Sequence, residues 1–443
     1  MGTKVLEMTI SKRTLVYTLD AIMIGGIVGV IDTLFGRVLI GIGEVRTDYL
    51  LYLLPFLPLA GILITYLNRT YGGKSQKGME LLFEVGEGRE KAIPKRLIPL
   101  TILSTWLTHL FGGSAGREGV AVQLGGTVAH ALRREGLGPH ASRIYLVTGM
   151  AAGFGGLFQT PLAAIFFAME VLVVGRLEWR ALYPAAIAAF VASWTSHTLG
   201  LEKFTQIISA KLSLSPQVFL QLLLLGVIFG LTGKLFAYLL GTFKQSFTRT
   251  FANPYVRIGV VGLGLSILLY LIGAGRYTGL GTNLISQSFE GADGKGLITG
   301  ADWILKLLFT VTTIAAGYKG GEVTPLFSIG ASLGVWLAPF FGLPVYLVAS
   351  LGYAAVFAGA TSTTIGPILI GCEVFGFQHW PAFLLVCLVA TRLFPALSIY
   401  GGQKVAKKLQ YSFTNGHSFG IINFVRTGST KLQFIRWGSS PQD

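Results

Sequence analysis

Runs of apolar residues long enough to cross a bilayer recur along most of the chain. A helix needs about 20 predominantly apolar residues to span the hydrocarbon core of a membrane. Runs near that length are Thr14–Ile31, Leu50–Leu67, Ala181–Leu199, Val218–Leu240, Ile258–Ile272, Ile304–Ala316 and Trp380–Tyr400. No long polar linker interrupts residues 14–400. We therefore predict one all-α, polytopic membrane domain over that range.

The composition supports a membrane protein and decides how the positive charge is interpreted. The chain is 52% hydrophobic and 12% charged, whereas a soluble domain carries about 25% charged residues. A net charge of +15 would suggest nucleic acid in a soluble protein. In a membrane protein, basic residues in loops and tails orient the chain and contact lipid headgroups. We predict contact with membrane lipids and no nucleic-acid partner.

Both ends of the chain are basic. Residues 1–13 form a short N-terminal segment and residues 401–443 a short tail, in which the only acid is Asp443. This charge pattern predicts that both termini are cytoplasmic and that the number of membrane crossings is even. Cys372 and Cys387 lie in apolar segments, so we expect them to be packing residues rather than a disulfide.

The chain contains two copies of one pattern. A segment that begins at Gly149 reaches Glu170, and one that begins at Gly352 reaches Glu373 after the same number of residues. Upstream, Gly116-Arg117-Glu118 is echoed by Gly320-Gly321-Glu322. This predicts two halves, roughly residues 14–200 and 216–400. Duplicated transporters bind their substrate where interrupted helices from both halves meet. The sequence alone does not say whether the repeat is inverted.

Four segments place glycine or proline immediately before an apolar run. They are Lys77–Phe83, Gly116–Val120, Phe158–Ala163 and Gly320–Phe327. Each predicts a helix start, which offers unpaired N–H groups and the positive end of a helix dipole. Several such starts directed at one point would bind an anion without a buried lysine or arginine.

Two glutamates begin apolar stretches of this kind. A charged side chain at the bilayer centre costs about 2.5–3.5 kcal/mol on insertion scales, so Glu118 and Glu322 are functional candidates. The alternative is that each carboxylate caps its own helix, or that Glu118 pairs with Arg117. Glu170 and Glu373 occupy equivalent places in the repeat, and we interpret them as structural groups that form hydrogen bonds within the bundle.

Three further residues have ordinary explanations when they are considered alone. Tyr400 ends the last apolar run, where a tyrosine at the membrane interface is common. Met79 and Phe83 are four residues apart and would share a helix face, which indicates only packing. The sequence shows no nucleotide-binding loop, no His/Cys metal cluster and no nucleophile–base pair, so we expect no cofactor, no metal and no enzyme activity.

Taken together, these motifs resemble the CLC family of anion channels and proton-coupled anion antiporters. The family signature GREGP is similar to Gly116–Val120 here, with valine in place of the proline. The resemblance implies that Glu118 is the gating and proton-carrying glutamate and that Tyr400 is the inner-gate tyrosine. It also implies a homodimer of inverted-repeat subunits with broken helices, each subunit with its own anion path.

The departures from the family pattern imply a particular branch. Met79 stands where the signature GSGIP has an anion-coordinating serine, and Gly321–Pro325 reads Gly-Glu-Val-Thr-Pro instead of GxFxP. Both features resemble the fluoride-exporting bacterial branch. Val171 stands where chloride/proton antiporters carry an inner proton-accepting glutamate, so Glu118 would carry the proton alone or with help from Glu322.

The resemblance thus implies a fluoride/proton antiporter in a bacterial plasma membrane, with fluoride and protons as its substrates. The residues that it implies for anion binding are Met79, Phe83, Gly116, Gly119, Val323, Thr324 and Tyr400. Two alternatives remain at this point. One is a CLC chloride/nitrate antiporter or passive channel, against which Met79 and Val171 speak. The other is a membrane-embedded enzyme that uses Glu118 and Glu322 as paired carboxylates.

Overall fold

The computed structural model describes residues 10–134, 136–210, 212–213, 215–290 and 298–406, and this part of the chain is mainly helical. The helices of the first half are α1 Ile10–Asp48, α2 Leu50–Leu53, α3 Leu57–Leu67, α4 Met79–Gly86, α5 Leu97–Leu110, α6 Glu118–Ala131, α7 Ala141–Phe158, α8 Pro161–Val171 and α9 Leu182–Thr198. Those of the second half are α10 Pro216–Thr250, α11 Pro254–Leu271, α12 Thr282–Phe289, α13 Asp302–Ala316, α14 Val323–Phe341, α15 Val345–Thr361, α16 Ile365–Phe375 and α17 Trp380–Arg392. The predicted all-α class is confirmed.

The second half repeats the first, helix by helix, and the two copies run in opposite directions. α4 and α12 are both eight residues long, and α8 and α16 are both eleven. α7 and α15 each end at a non-glycine residue in the left-handed conformation, Gln159 (φ 55°) and Ser362 (φ 56°). The start of α8 contacts the end of α16, and the start of α16 contacts the end of α8. That contact pattern requires antiparallel copies.

Glycines allow the central helices of each half to pack with their backbones in contact. A Cβ on Gly149 of α7 would overlap the carbonyl oxygen of Gly125 on α6. In the second half, a Cβ on Gly352 of α15 would overlap the carbonyl oxygen of Gly330 on α14. Helices in membranes associate through small residues because close approach increases their van der Waals contact. These tight pairs hold the starts of α6 and α14 in place.

The apolar runs and the helices do not coincide. The run Trp380–Tyr400 is not one helix, because α17 ends at Arg392 and Phe394 takes a left-handed turn (φ 44°). The run Leu50–Leu67 is divided between α2, α3 and a short 3₁₀ helix at Leu54–Phe56. Hydropathy measures burial in lipid or protein and does not detect where a helix breaks. Five described helical stretches are long and apolar enough to cross a membrane.

The ends of the chain lie mostly outside the described residues. The cytoplasmic position of both termini therefore stays a prediction. The first part of the tail is described, and Lys404–Val405 (β2) pairs in parallel with Val173–Val174 (β1). Cys372 and Cys387 are free and buried, as predicted.

Candidate functional site

The starts of α6 and α14 face each other at the centre of the protein. The turns that precede them are joined by two hydrogen bonds, because Gly116 and Gly321 each donate an N–H to the carbonyl oxygen of the other, at 2.5 and 2.7 Å. A Cβ on Gly116 would lie 2.8 Å from Cδ of Pro325 and 3.0 Å from the Gly321 oxygen. Glycine is needed here because the two turns leave no room for a side chain. The Gly116 N–H is engaged in this contact and shapes the junction.

Glu118 is the first residue of α6, and its carboxylate occupies the start of the opposite helix. Oε2 accepts a hydrogen bond from the Thr324 N–H at 3.1 Å, another from the Thr324 hydroxyl, and a longer one of 3.4 Å from the Arg117 N–H. Oε1 lies 3.6 Å from Nε of Arg117 and has no hydrogen-bond donor among the described residues. Only 1% of the residue is exposed. The carboxylate is therefore held mainly by the start of the opposite helix, and only weakly by its own helix start or by the Arg117 side chain.

Glu322 immediately precedes α14 and is partly buried. No other described residue donates a hydrogen bond to its carboxylate, and Oε2 lies 3.5 Å from the position of a Cβ on Gly119. The sequence predicted two carboxylates at equivalent helix starts, and the structure places both of them at this junction. One is anchored across it and the other is not.

Tyr400 and Phe83 close the opposite side of the junction. Tyr400 is buried, with 7% of the residue exposed, and its ring lies 5.5 Å from that of Phe83 between centroids. The tyrosine hydroxyl is within electrostatic range of both Glu322 and Glu118. A tyrosine exposed to the membrane interface would have neither property. The implied position of Tyr400 beside the anion path is therefore compatible with its surroundings.

Met79 begins α4 and follows Gly78, which has the left-handed φ of 56°. The methionine is half-buried and packs against the main apolar core. A Cβ on Gly78 would lie 3.2 Å from Oε1 of Gln123, a residue of α6. The start of α4 is thus next to a polar side chain from the helix that carries Glu118.

Two groups at this site were not predicted from the sequence. They are Gln123 and an aromatic cluster formed by Tyr353, Phe327 and Phe158. Tyr353 stacks on Phe327 with 4.1 Å between ring centroids, and its hydroxyl is within electrostatic range of Glu118. Phe327 in turn contacts Phe158 at 5.4 Å. Phe327 lies three residues after Thr324, so helical spacing was a signal that could have identified it. Nothing in the sequence indicates that Tyr353, on another helix, approaches the same point.

One of the four predicted helix starts does not join the others. The N–H groups of Leu162 and Ala163, at the start of α8, donate to the carboxylate of Glu373 at 3.3 and 2.8 Å. The start of α8 is therefore satisfied by the protein itself. The expectation that this segment would contribute free donors to an anion site is wrong for these two groups, because a carboxylate from the other half already caps them.

Glu170 makes the reciprocal contact at the start of α16. Its carboxylate accepts from the N–H groups of Thr364, Ile365 and Gly366 at 2.8–3.2 Å. The prediction that Glu170 and Glu373 form hydrogen bonds within the bundle is confirmed. Val171 follows as the last residue of α8 and is fully buried, so no acid occupies that position.

Comparison with known proteins identifies the class. The family model described as "Voltage gated chloride channel" matches residues 59–394. A protein of Pseudomonas syringae pv. tomato named chloride/fluoride channel protein is 35% identical over 365 residues, which cover 79% of this chain and 78% of that protein. The chain therefore belongs to the CLC family, whose members transport anions.

Three other similar proteins were found, at different levels of identity. A solved structure described as a CLC-type fluoride/proton antiporter is 51% identical, with a TM-score of 0.87, and the match covers 90% of this chain and all of that one. A voltage-gated ClC-type chloride channel of Salmonella typhimurium is 28% identical over 66% of this chain and 71% of its own length. A cyanobacterial Cl⁻/H⁺ antiporter at 21% identity and a TM-score of 0.74 shares the fold.

The chemistry available at the junction follows from its donors. A backbone N–H and a hydroxyl converge on a carboxylate that could leave, and a small anion in the same place would meet the same two donors. Within the described residues, no group of three or more His, Cys, Asp or Glu side chains is arranged to hold a metal ion.

Proposed function

We propose that this protein exports fluoride from the cytoplasm in exchange for protons that move inward. The observation that carries the proposal is the Glu118 carboxylate at the start of α14, bound by the N–H and the hydroxyl of Thr324. The ionised carboxylate is itself an anion, so the two groups of Thr324 that bind it can also bind a free anion. The 51% identical structure described as a CLC-type fluoride/proton antiporter supports the choice of ions.

The exchange follows from the two protonation states of Glu118. The ionised carboxylate is stabilised by the helix dipole and by two charge-assisted hydrogen bonds. Protonation at a carboxylate oxygen removes the charge, weakens these contacts and releases the side chain. A fluoride ion from the cytoplasmic side then takes the vacated place. Loss of the proton returns the carboxylate, which displaces the fluoride, so one site holds either ion but not both.

The preference for fluoride rests on Met79, Thr324 and Phe83. A methionine thioether donates no hydrogen bond, so a chloride ion gains nothing from the position where related proteins have serine. The Thr324 hydroxyl is a compact donor on the other side of the junction, suited to a small ion that has lost its water. The edge of the Phe83 ring, held against Tyr400, adds a weakly positive surface. Gly116, Gly119 and Val323 shape the two helix starts.

The proton pathway to the cytoplasm uses no acid at position 171, where the chain has valine. Glu322 lies at the same junction as Glu118, and no other described residue donates a hydrogen bond to its carboxylate. We assign it a supporting role, in which it accepts the proton from Glu118 or lowers the barrier to its release. Glu118 remains the group whose movement couples the two fluxes.

The assembly is a homodimer in a bacterial plasma membrane, with both termini cytoplasmic and one complete path in each subunit. Exposed apolar side chains on α9 and α17, among them Phe190, Trp194 and Leu384, supply surface for lipid and for a second copy. A crosslinked pair in which one subunit carries Glu118→Gln should keep about half of the wild-type coupled flux, since the paths are separate. Complete loss would indicate a shared pore.

The decisive experiment is ion flux from proteoliposomes loaded with fluoride or chloride while external pH is recorded. Fluoride efflux should make the external medium more alkaline, because each proton that enters is taken from it. Chloride-loaded liposomes should give little flux and little pH change. Fluoride efflux without a pH change would indicate a passive channel. Equal chloride flux would favour the chloride antiporter.

A further inference from the structure

We propose that the start of α12 is a second binding site for a small anion, at the end of the path opposite to α4. The inference rests on the proposed function, because it identifies where fluoride lies after it leaves Glu118. α12 is the repeat counterpart of α4, and both helices follow a glycine with positive φ, Gly78 (56°) and Gly281 (85°). Neither the motifs nor the family resemblance indicated a site there.

The backbone at the start of α12 offers free donors. Leu284 and Ile285 donate to the Gly281 carbonyl, which closes the first turn. The N–H groups of Thr282 and Asn283 have no acceptor among the described residues. The Asn283 side chain does not cap the helix either, since its amide donates to the Arg276 carbonyl at 2.9 Å. Two N–H groups and the positive end of the helix dipole are thus available to an anion.

An orphaned hydroxyl lies at the same point. Ser328 is fully buried on α14, one turn after Thr324, and its Oγ has no hydrogen-bond partner among the described residues. That oxygen is 2.8 Å from the position a Cβ would take on Gly281. Buried hydroxyls nearly always have a partner, so an unpartnered one beside a helix start indicates a missing ligand. In the first half, Oε1 of Gln123 occupies the corresponding place, 3.2 Å from the position of a Cβ on Gly78.

A buried lysine side chain lies beside the start of α12. Lys306 is fully buried, and its Cε lies 2.6 Å from the same Cβ position on Gly281. Its ammonium donates to the Ser114 hydroxyl at 2.9 Å and to the carbonyls of Tyr277 and Gly279 at 3.1 and 2.8 Å. These three contacts hold the Lys306 side chain in place beside the start of α12.

The start of α12 opens to a cavity of about 1050 Å³, whose walls include Gly281, Thr282, Arg46 and Arg117. Nη1 of Arg117 is buried and has no acceptor among the described residues. The acids that line this cavity, Glu44, Asp48 and Glu202, are exposed. Arg117 and the start of α12 therefore border one cavity, through which an anion released beside Arg117 can reach α12.

The two short helices give the path a site on each side of Glu118. α4 holds the anion on the side of Met79 and Tyr400, and α12 holds it on the side of the cavity. Since α1 runs from the basic N-terminus to Arg46 at the cavity, the proposed topology places α12 on the outer face. The α12 site would hold fluoride that Glu118 has displaced and prevent its return.

The test compares the two faces of the membrane in the full-length protein with Ser328→Ala. Right-side-out and everted vesicles report the fluoride concentration for half-maximal exchange at the outer and inner face. Loss of one hydroxyl donor to an anion should raise the outer value by roughly threefold to tenfold and leave the inner value unchanged. Gln123→Ala should do the reverse. Ser332→Ala is the matched control, because Ser332 is equally buried on the same helix and its hydroxyl donates to the Ser328 carbonyl.

An unchanged outer value in Ser328→Ala, or equal shifts at both faces, would overturn the α12 site while wild-type fluoride/proton exchange still stands. If wild-type vesicles move no fluoride, the proposed function itself fails. Should Ser328→Ala not fold, as judged by gel filtration, Ser328→Cys keeps the volume with a weaker donor and should shift the outer value in the same direction.

Discussion

Two pairs of repeat-related helices each bring two glutamates to helix starts, and the pairs differ in symmetry. At α8 and α16 the contacts are reciprocal, since Glu373 caps α8 and Glu170 caps α16. At α6 and α14 only Glu118 crosses to the opposite helix, and no other described residue donates a hydrogen bond to the Glu322 carboxylate. Both glutamates therefore cross to the opposite helix in one pair, whereas only one of the two does so in the other.

The difference separates a structural carboxylate from a mobile one. Glu170 accepts three backbone N–H groups that have no other described acceptor, so its departure would leave buried donors unpaired. Glu118 accepts mainly from Thr324, with one longer contact of 3.4 Å from the Arg117 N–H, and one of its oxygens has no donor among the described residues. A side chain with few contacts, at a site where an anion can replace it, costs little to displace. We expect transport to depend on the asymmetric pair and folding to depend on the symmetric one.

The largest effect is expected for Glu118→Gln. The amide has the same shape but cannot be deprotonated, so fluoride-driven proton movement should be abolished. The measurement is external pH during fluoride efflux from proteoliposomes. Glu290→Gln, which removes an exposed carboxylate, is the control and should behave as wild type. Proton pumping against a gradient by the Glu118 variant would show that another group carries the proton.

Glu170→Ala and Glu373→Ala should affect folding and not coupling. Each substitution leaves buried N–H groups without an acceptor, which costs about 1–3 kcal/mol in the free energy of unfolding. Thermal unfolding in detergent measures this loss against Glu290→Ala. The number of protons moved per fluoride should be unchanged in the protein that still folds. An altered ratio would place one of these glutamates in the transport cycle and break the comparison.

Met79→Ser and Thr324→Ala examine the donors on the two sides of the open junction. A serine hydroxyl at position 79 restores a donor worth roughly 0.5–1.5 kcal/mol, so chloride flux should rise several-fold relative to fluoride flux. Thr324→Ala removes a donor and should mainly slow fluoride. Met79→Ala and Thr324→Ser are the matched controls, since they respectively add no donor and keep the hydroxyl. An unchanged fluoride/chloride ratio in Met79→Ser would rule out the role assigned to Met79.

The smallest effect is expected for Glu322→Gln. A supporting acid speeds proton transfer without being the coupling group, so proton movement should slow a few-fold while the ratio of protons to fluoride is kept. Initial rates of external pH change provide the measurement. Complete uncoupling in this variant would make Glu322 equal to Glu118 and remove the proposed asymmetry between them.

Much of the site could be predicted from the chain because its chemistry is local. A glycine-rich turn that ends in a glutamate before an apolar run indicates both a helix start and an anion competitor within a few residues, as at Gly116–Glu118. Equal spacing in the two copies placed Glu170 and Glu373 in matching positions. The partners of these groups were not predictable, because Thr324 and Gly366 are distant in sequence and backbone contacts leave no trace in residue type.

What the sequence determined by itself is the membrane class, the duplication and the identity of the carboxylates. Hydrophobic run length and repeat spacing are properties of the chain, and burial in lipid enforces them whatever the details of packing. What only the tertiary structure decided is which helix starts remain open. α8 is closed by Glu373, while α14 is occupied by Glu118 and α12 is left with an unpartnered serine beside it. Those outcomes depend on distances between the two antiparallel halves. The contact between Gly116 and Gly321 sets these distances at the junction.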